Sequence, residues 1–207
     1  MRTSKLFLIR HAPVKKIKGY VPQNDPIAII NKKNIKKLAL HIPHGCTWYV
    51  SPLKRATQTA KALSKFASPK KIIIEKKLVE QNFGDWSGKK ISEVWKEIKK
   101  NKKRHNFSFI CPEISPPNGD SFLDQCKRAT LFIDNLKLHD KNPTVIIAHA
   151  GTIRAILSYV LEIKPDVSIG IEIKNLSLSV LEIIKKENFK NNQGGRIRLL
   201  GLNQSVF

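Results

Sequence analysis

Cysteines, acidic side chains and long apolar runs are all scarce in this chain of 207 residues. The three cysteines, at positions 46, 111 and 126, show no metal-ligand spacing and cannot all pair with one another. Reduced thiols in a cytoplasmic protein are the simplest explanation. No apolar run approaches the roughly 20 residues that span a membrane, so we expect no membrane segment.

The first residues, MRTSKLFLIR, contain an apolar stretch of only LFLI. This stretch is shorter than the apolar region of a secretory signal peptide. We therefore expect no secretory segment and a cytoplasmic location.

The 16 acidic residues face 38 Lys and Arg, which gives a formal net charge of +22. Such an excess can indicate a nucleic-acid or acidic-membrane partner. Most of the cations are lysines, however, and they recur along the whole chain beside many Asn and Ile. We favour a solvated surface of biased composition, which would still attract anions in a salt-dependent way.

Apolar residues make up 41% of the chain and charged residues 26%, a balance typical of a globular fold. The length suits a single α/β domain over residues 1–207. No internal repeat or long linker divides the sequence. Whether the protein is a monomer or a dimer stays open.

Strand and helix patterns alternate, which favours a mostly parallel sheet with helices packed on it. The predicted strands are Lys5–Ile9, Thr47–Val50, Ile72–Ile74, Thr144–Ala148, Leu176–Ile184 and Arg196–Leu202. The predicted helices are Asn34–Ile42, Arg55–Phe66, Ile91–Lys100, Ser121 to about Leu138, and Thr152–Leu161.

Polar residues follow three of these strands where each one ends. The first strand runs into Arg10 and His11, the second into SPLKR with Arg55, and TVIIA into His149. Ligands of open α/β sheets bind beyond the carboxyl ends of the strands. The helix that starts near Ala150 adds backbone N–H groups and a partial positive charge. The combination predicts a site for a tetrahedral anion, with phosphate the obvious candidate.

Each of these residues taken alone has an ordinary explanation. A histidine at a strand end is usually structural, an arginine on a basic helix is usually surface charge, and Glu80 in KKLVEQNFGDW could pair with nearby lysines. Only their joint arrangement indicates a catalytic site.

Five segments, in this order along the chain, resemble the histidine phosphatase superfamily, in the branch with phosphoglycerate mutase and small phosphatases. These segments are LIRHAPV, SPLKRATQTA, LVEQNFGDWSGK, PNGDS and VIIAHAGTIRAIL. The resemblance implies a three-layer α/β fold, phosphoglycerate mutase-like, with a mostly parallel but mixed central sheet between helices. It also implies phosphomonoester hydrolysis through a phosphohistidine, without a metal or cofactor.

The resemblance assigns a role to each matching residue. His11 would be the nucleophile, while Arg10, Arg55 and His149 would bind phosphate. Glu80 would protonate the leaving alkoxide and then activate water. Elementary chemistry agrees, because nearby guanidiniums disfavour protonated His11 and stabilise the transferring oxygens.

The chain departs from the family pattern just after the nucleophile. Ala12 replaces the usual glycine, and the stretch from Pro13 onward lacks the family's Thr and Asn phosphate contacts. We expect Gln23 or Asn24, in GYVPQNDP, to replace them.

The sequence therefore predicts a metal-independent phosphatase that acts on a small phosphorylated metabolite. Phosphoglycerate mutase-type transfer is one alternative, although the chain is short for a mutase. A basic nucleic-acid-binding protein is the other, but few aromatic residues are interleaved with the cations.

Overall fold

The computed structural model describes residues 3–98, 105–136, 138, 142–184 and 195–205. Six strands form one sheet: β1 (Thr3–Arg10), β2 (Thr47–Val50), β3 (Lys71–Ile74), β4 (Thr144–Ala148), β5 (Leu178–Ile184) and β6 (Ile197–Gln204). The α-helices are α1 (Lys32–Ala39), α2 (Lys54–Leu63), α3 (Ile91–Ile98), α4 (Phe122–Asn135), α5 (Ala150–Val160) and α6 (Pro165–Ile169). Two short 3₁₀ helices cover Lys76–Leu78 and Gly84–Trp86.

The strands lie in the order β3-β2-β4-β1-β5-β6. The first four in this order run parallel, while β5 is antiparallel to both β1 and β6. All five residues of β4 are buried, as expected for a central strand covered on both faces. The register pairs Arg10 with Ala148 and Val50 with Ile147, so β1, β4 and β2 end side by side.

Helices cover both faces of the sheet because successive strand side chains point to opposite sides. On one face, α4, α5 and α6 pack on residues such as Leu8 and Ile146. On the other face, α1 and α2 pack on residues such as Ile9 and Ile147. The predicted α/β architecture, three layers around a mixed and mostly parallel sheet, is confirmed.

A smaller apolar cluster lies apart from the two sheet cores. It comprises Val21, Trp86, Val94, Ile110, Cys111 and Ile114, and so joins α3 to the loops around it. Helix α4 follows these loops and begins with a capping box, in which Ser121 and Asp124 satisfy each other's backbone N–H groups.

The predicted elements match closely, with two differences. Several helix ends shift by one to three residues, as at α4, since terminal turns have few tertiary contacts. Helix α6 was not predicted, because five residues are too few to show a helical period. The last two residues of the predicted helix Ile91–Lys100, and residues 190–194 of the turn-like KNNQGG, lie outside the described residues. No helix in the described part of the chain is long and apolar enough to cross a membrane.

Candidate active site

Three strand ends and the start of α5 bring the predicted site together. His11 directly follows β1, Ser51 follows β2, and His149 follows β4 and caps the N-terminus of α5. The rings of His11 and His149 lie with their centroids 5.1 Å apart. The parallel register therefore places residues separated by more than 130 positions in one pocket.

His11 is buried, only 4% exposed, and its ring orientation follows from its partners. Its Nδ1 lies 2.6 Å from the carbonyl oxygen of Ala12. A carbonyl only accepts, so Nδ1 carries the proton and the lone pair is on Nε2. Burial is the main cause that lowers the pKa of His11 to about 2, and the nearby His149 contributes to the same shift. His11 is thus a neutral imidazole with an available nucleophilic nitrogen.

The backbone around His11 is held by two polar side chains. The N–H of Ala12 donates to Thr59 Oγ1 over 2.9 Å, and that hydroxyl donates to the Arg55 carbonyl. Asn175 donates its Nδ2–H to the His11 carbonyl over 3.0 Å. These bonds fix His11 relative to α2 and to the segment before β5.

Arg55, on the first turn of α2, lies between the two histidines. Its Nε is 3.2 Å from Nε2 of His11 and 3.1 Å from Nδ1 of His149. Its Nη1 donates to the Asn24 carbonyl over 2.8 Å and lies 3.8 Å from Oδ1 of Asp25. Burial lowers the pKa of Arg55, partly offset by Glu80 and Asp25. The guanidinium is a fixed positive charge beside the His11 ring.

His149 is fully buried. Its Nδ1 accepts from Arg55, so Nε2 carries the proton and donates to Ser51 Oγ over 2.7 Å. Burial, and then the charge of Arg55, lower its pKa well below the ordinary value. His149 is therefore neutral, with Nδ1 facing the cation.

Arg10 supplies the second guanidinium of the pocket. Its Nη1 donates to the carbonyl of Ile173. Its Nε is buried, and among the described residues it has no hydrogen-bond partner. Burial lowers the pKa of Arg10, while Glu80 opposes this effect. A buried donor without a partner suits an anion that the pocket would bind.

Glu80 lies across the pocket, where both carboxylate oxygens accept hydrogen bonds. Oε2 accepts from the Gly151 N–H over 3.2 Å, and Oε1 accepts from Gln125 Nε2 over 2.7 Å and from the Gln81 N–H over 3.2 Å. A Cβ on Gly151 would collide with the Glu80 carboxylate. Helix α5 and Glu80 can approach this closely only because position 151 is glycine.

The loop that carries Glu80 is fastened to α4 through Asp120. This carboxylate pairs with Arg128 and accepts the N–H of Asn82. Gln125, one turn before Arg128, binds Glu80 itself and also donates to Thr152 Oγ1 over 3.0 Å. Helix α4 thus positions the Glu80 carboxylate in two ways, directly through Gln125 and indirectly through Arg128 and Asp120.

The remaining predicted phosphate ligands are placed as follows. Gln23 and Ala150 line the cavity that opens from the pocket, together with Arg10, His11, Arg55 and Glu80. Asn24 accepts a hydrogen bond from Arg55 at its backbone carbonyl and so positions that guanidinium. Donation from the Asn24 side chain to phosphate stays a prediction. Arg154 lines the same cavity and donates its Nε–H to the Ile171 carbonyl over 2.7 Å.

Four residues with clear roles in this geometry were not predicted from the sequence: Ser51, Thr59, Gln125 and Gly151. Two of them lie within SPLKRATQTA, where a serine and a threonine flank the arginine. Gly151 lies within the second histidine segment, VIIAHAGTIRAIL, at the first turn of a helix. Gln125 has no local signal, since a glutamine on a helix face is usually solvated.

The arrangement defines an α/β enzyme of the phosphoryl-transfer class, because a neutral imidazole faces two guanidiniums and a carboxyl group in a buried pocket. Comparison with known proteins specifies the class. The family model of the histidine phosphatase superfamily (branch 1) matches residues 6–192. The chain belongs to this superfamily.

Individual relatives agree with this assignment. The chain is 27% identical over 198 residues to phosphoserine phosphatase 1 of Hydrogenobacter thermophilus, covering 89% of each chain. It is 25% identical over 136 residues to a 2,3-bisphosphoglycerate-dependent phosphoglycerate mutase of Thermoplasma acidophilum, covering 66% of this chain and 62% of that protein. A mycobacterial glucosyl-3-phosphoglycerate phosphatase superposes with a TM-score of 0.75 at 20% identity, covering 99% of this chain and 100% of the other.

The predictions of family, fold class and enzyme class, a phosphomonoester hydrolase, are thereby confirmed.

Proposed function

We propose that this protein hydrolyses a small phosphorylated metabolite through a phosphohistidine formed at Nε2 of His11. The observation that carries the proposal is the neutral His11 ring, whose Nδ1–H is held by the Ala12 carbonyl while Nε2 faces Arg55. A nitrogen lone pair beside a buried guanidinium can attack a phosphorus atom that the same cation has drawn in.

In the first step, Nε2 of His11 attacks phosphorus and the bond from phosphorus to the ester oxygen breaks. The leaving oxygen takes a proton from Glu80. The Ala12 carbonyl stabilises the positive charge that develops on the ring at Nδ1–H. Arg10 and Arg55 bind the equatorial oxygens, whose charge is greatest in the transition state.

In the second step, water attacks the phosphohistidine and gives a proton to Glu80. The bond from nitrogen to phosphorus breaks, which returns neutral His11 and releases inorganic phosphate. The negative charge of the bound phosphoryl group favours the protonated carboxyl that the first step requires. That same charge favours a proton on Nδ1 of His149, which would then donate to a phosphoryl oxygen.

The test is hydrolysis of p-nitrophenyl phosphate in EDTA by wild type, His11→Ala and the control His41→Ala, an exposed histidine outside the site. We expect turnover by wild type and the control, and a loss of about 10³-fold or more in His11→Ala. Radioactive phosphate should label His11 in an acid-labile, base-stable form. Turnover that survives His11→Ala would overturn the nucleophile, and no turnover of any phosphomonoester by wild type would overturn the function.

Phosphoglycerate mutase-type transfer is the second candidate, supported by the similarity to the Thermoplasma acidophilum mutase. It uses the same phosphohistidine but passes the phosphoryl group to a second hydroxyl instead of water. Interconversion of 2- and 3-phosphoglycerate after priming with 2,3-bisphosphoglycerate, at a rate above phosphate release, would favour it.

We further propose a cytoplasmic location, which the free thiols of Cys46 and Cys126 support. We propose no nucleic-acid or membrane partner, since the features that carry the function are those of a small-molecule pocket. The net charge of +22 would draw anionic metabolites to it.

A further inference from the structure

A cavity of about 640 Å³ opens from the phosphate pocket. Its walls beyond the phosphate ligands are largely apolar. Six side chains that form these walls are Phe83, Ile91, Trp95, Phe107, Phe109 and Ile110. A cavity of this size is larger than a phosphate needs and fits a drug-sized or metabolite-sized body.

The aromatic wall is held in place by polar contacts at its base. Trp95 donates its Nε1–H to the Phe109 carbonyl over 2.8 Å, which joins α3 to the loop that follows it. The rings of Phe83 and Phe109 lie 5.4 Å apart, within the usual range for aromatic pairs. The wall therefore consists of neighbouring rings fixed by their own backbone contacts.

Residues 105–107, which precede Phe109, are hydrogen-bonded to α6. His105 accepts the Phe107 N–H at Nδ1 over 3.1 Å, and its Nε2–H donates to the Asp166 carbonyl over 2.9 Å. A Cβ on Gly170 would lie 3.5 Å from the Phe107 ring. Phe107 is nevertheless 75% exposed at the cavity wall. Covering such an ordered but exposed aromatic ring with an apolar group removes it from water, which lowers the free energy.

We propose that the alcohol part of the substrate is aromatic or bulky and apolar, so that it packs on this wall while the phosphate sits between Arg10 and Arg55. The proposal rests on the proposed phosphatase function and adds the class of substrate. A small polar body such as that of phosphoserine would leave the wall in water. A body with a ring near the ester oxygen would cover it.

The test compares two alkyl phosphates with similar leaving groups, 2-phenylethyl phosphate and ethyl phosphate, with phosphoserine as the polar competitor. Because the pair differs in the phenyl group alone, leaving-group chemistry does not explain a difference in kcat/KM. We expect 2-phenylethyl phosphate to be better than both others by about tenfold or more, the effect of partly burying one ring. Equal kcat/KM values, or a preference for phosphoserine, would overturn the proposal.

Variants locate the preference on the wall. Phe107→Ala should lower kcat/KM for 2-phenylethyl phosphate and so reduce its preference over ethyl phosphate. Phe107 is mostly exposed, so the variant should fold. Leu40→Ala is the control, because Leu40 is 84% exposed and does not line the cavity. An unchanged preference in both Phe107→Ala and Phe83→Leu would overturn the proposal.

Binding of phosphonates separates this inference from the phosphatase function. Calorimetry with wild type should show tighter binding of 2-phenylethylphosphonate than of ethylphosphonate, and neither compound can be hydrolysed. This preference without hydrolysis of any phosphate ester would refute the phosphatase function and support the apolar subsite. Hydrolysis of all three esters with equal phosphonate affinities would refute the subsite and support the phosphatase.

Discussion

The Nε of Arg55 lies 3.2 Å from Nε2 of His11, so its N–H donates to the lone pair that would attack phosphorus. The same Nε also contacts His149 over 3.1 Å. Burial and neighbouring cations keep both rings neutral. Arg55 can therefore donate to both rings without repulsion from a positively charged imidazolium. In a complex, a phosphate oxygen would accept this one N–H group and free Nε2 of His11.

The substitution Arg55→Lys should lower kcat/KM by about 10²–10³-fold, because an ammonium cannot reproduce the planar fork that contacts two histidines and a backbone carbonyl. Steady-state kinetics with p-nitrophenyl phosphate measures the loss. The neighbouring Lys54→Gln is the matched control, since that side chain is exposed and outside the pocket. Activity of Arg55→Lys within about threefold of wild type would refute this role.

The substitution Glu80→Gln should lower kcat/KM for alkyl phosphates by about 10²–10⁴-fold, because their alkoxides need a proton from the enzyme. The loss in kcat/KM should be far smaller for p-nitrophenyl phosphate, whose phenolate leaves without protonation. The dependence of kcat/KM on the leaving group is the measurement, because it reports the first step and not the hydrolysis of the phosphohistidine that both substrates share. Glu93→Gln, on the exposed side of α3, should change neither. An equal loss for both substrates would argue against proton donation by Glu80.

The substitution Gly151→Ala should lower kcat by about tenfold or more with the fold retained, because the new Cβ displaces the Glu80 carboxylate. Activity and thermal unfolding are measured together. Gly195→Ala is the control, where the nearest atom to a Cβ lies 4.0 Å away. A fully active Gly151→Ala variant would mean that the contact between Gly151 and Glu80 is dispensable.

Acidification should destabilise the fold through the buried neutral histidines. The pKa of His11 is about 2 in the folded protein, lowered first by burial, and about 6.5 when unfolded. Between these values the unfolded chain binds more protons, so stability rises with pH from about 2 to about 6.5. For one such histidine, linkage gives about 2 kcal/mol less stability at pH 5 than at pH 7.

Urea unfolding at pH 5 and pH 7 measures this difference. His11→Gln should reduce it by about 2 kcal/mol, since one of the buried titrating groups is gone. His41→Gln, at an exposed position, should leave it unchanged. If His11→Gln has the same pH dependence as wild type, His11 is not the group that couples pH to stability.

The sequence alone was sufficient for the main features of fold and site. Alternating strand and helix patterns predicted the parallel core of the sheet, and the polar residues after β1 and β4 predicted that Arg10, His11 and His149 meet. This prediction succeeds because parallel strands end at one edge of a sheet. The segment after β2 likewise predicted Arg55 at this edge, and the resemblance of five segments to one superfamily added Glu80, which spacing alone does not assign.

The partners that set the state of each group were decided by tertiary structure. Ser51 and His149 are 98 positions apart, and Gln125 and Glu80 are 45 apart. Their hydrogen bonds depend on how strand ends and α4 pack, which no local pattern encodes. The short helix α6 and the aromatic wall with Phe107 were hidden for the same reason.

The segment LFLIRHAPV is thus sufficient to predict that a buried strand places an arginine and a histidine at its carboxyl end, on one edge of the sheet. Which nitrogen of His11 carries the lone pair, and that the ring is neutral, was decided only by folding. The carbonyl of Ala12, the guanidinium of Arg55 and the loss of water around them act together only when three separate segments are packed. Hydrogen-bond geometry and burial, the physical causes of that chemistry, exist only in the folded chain.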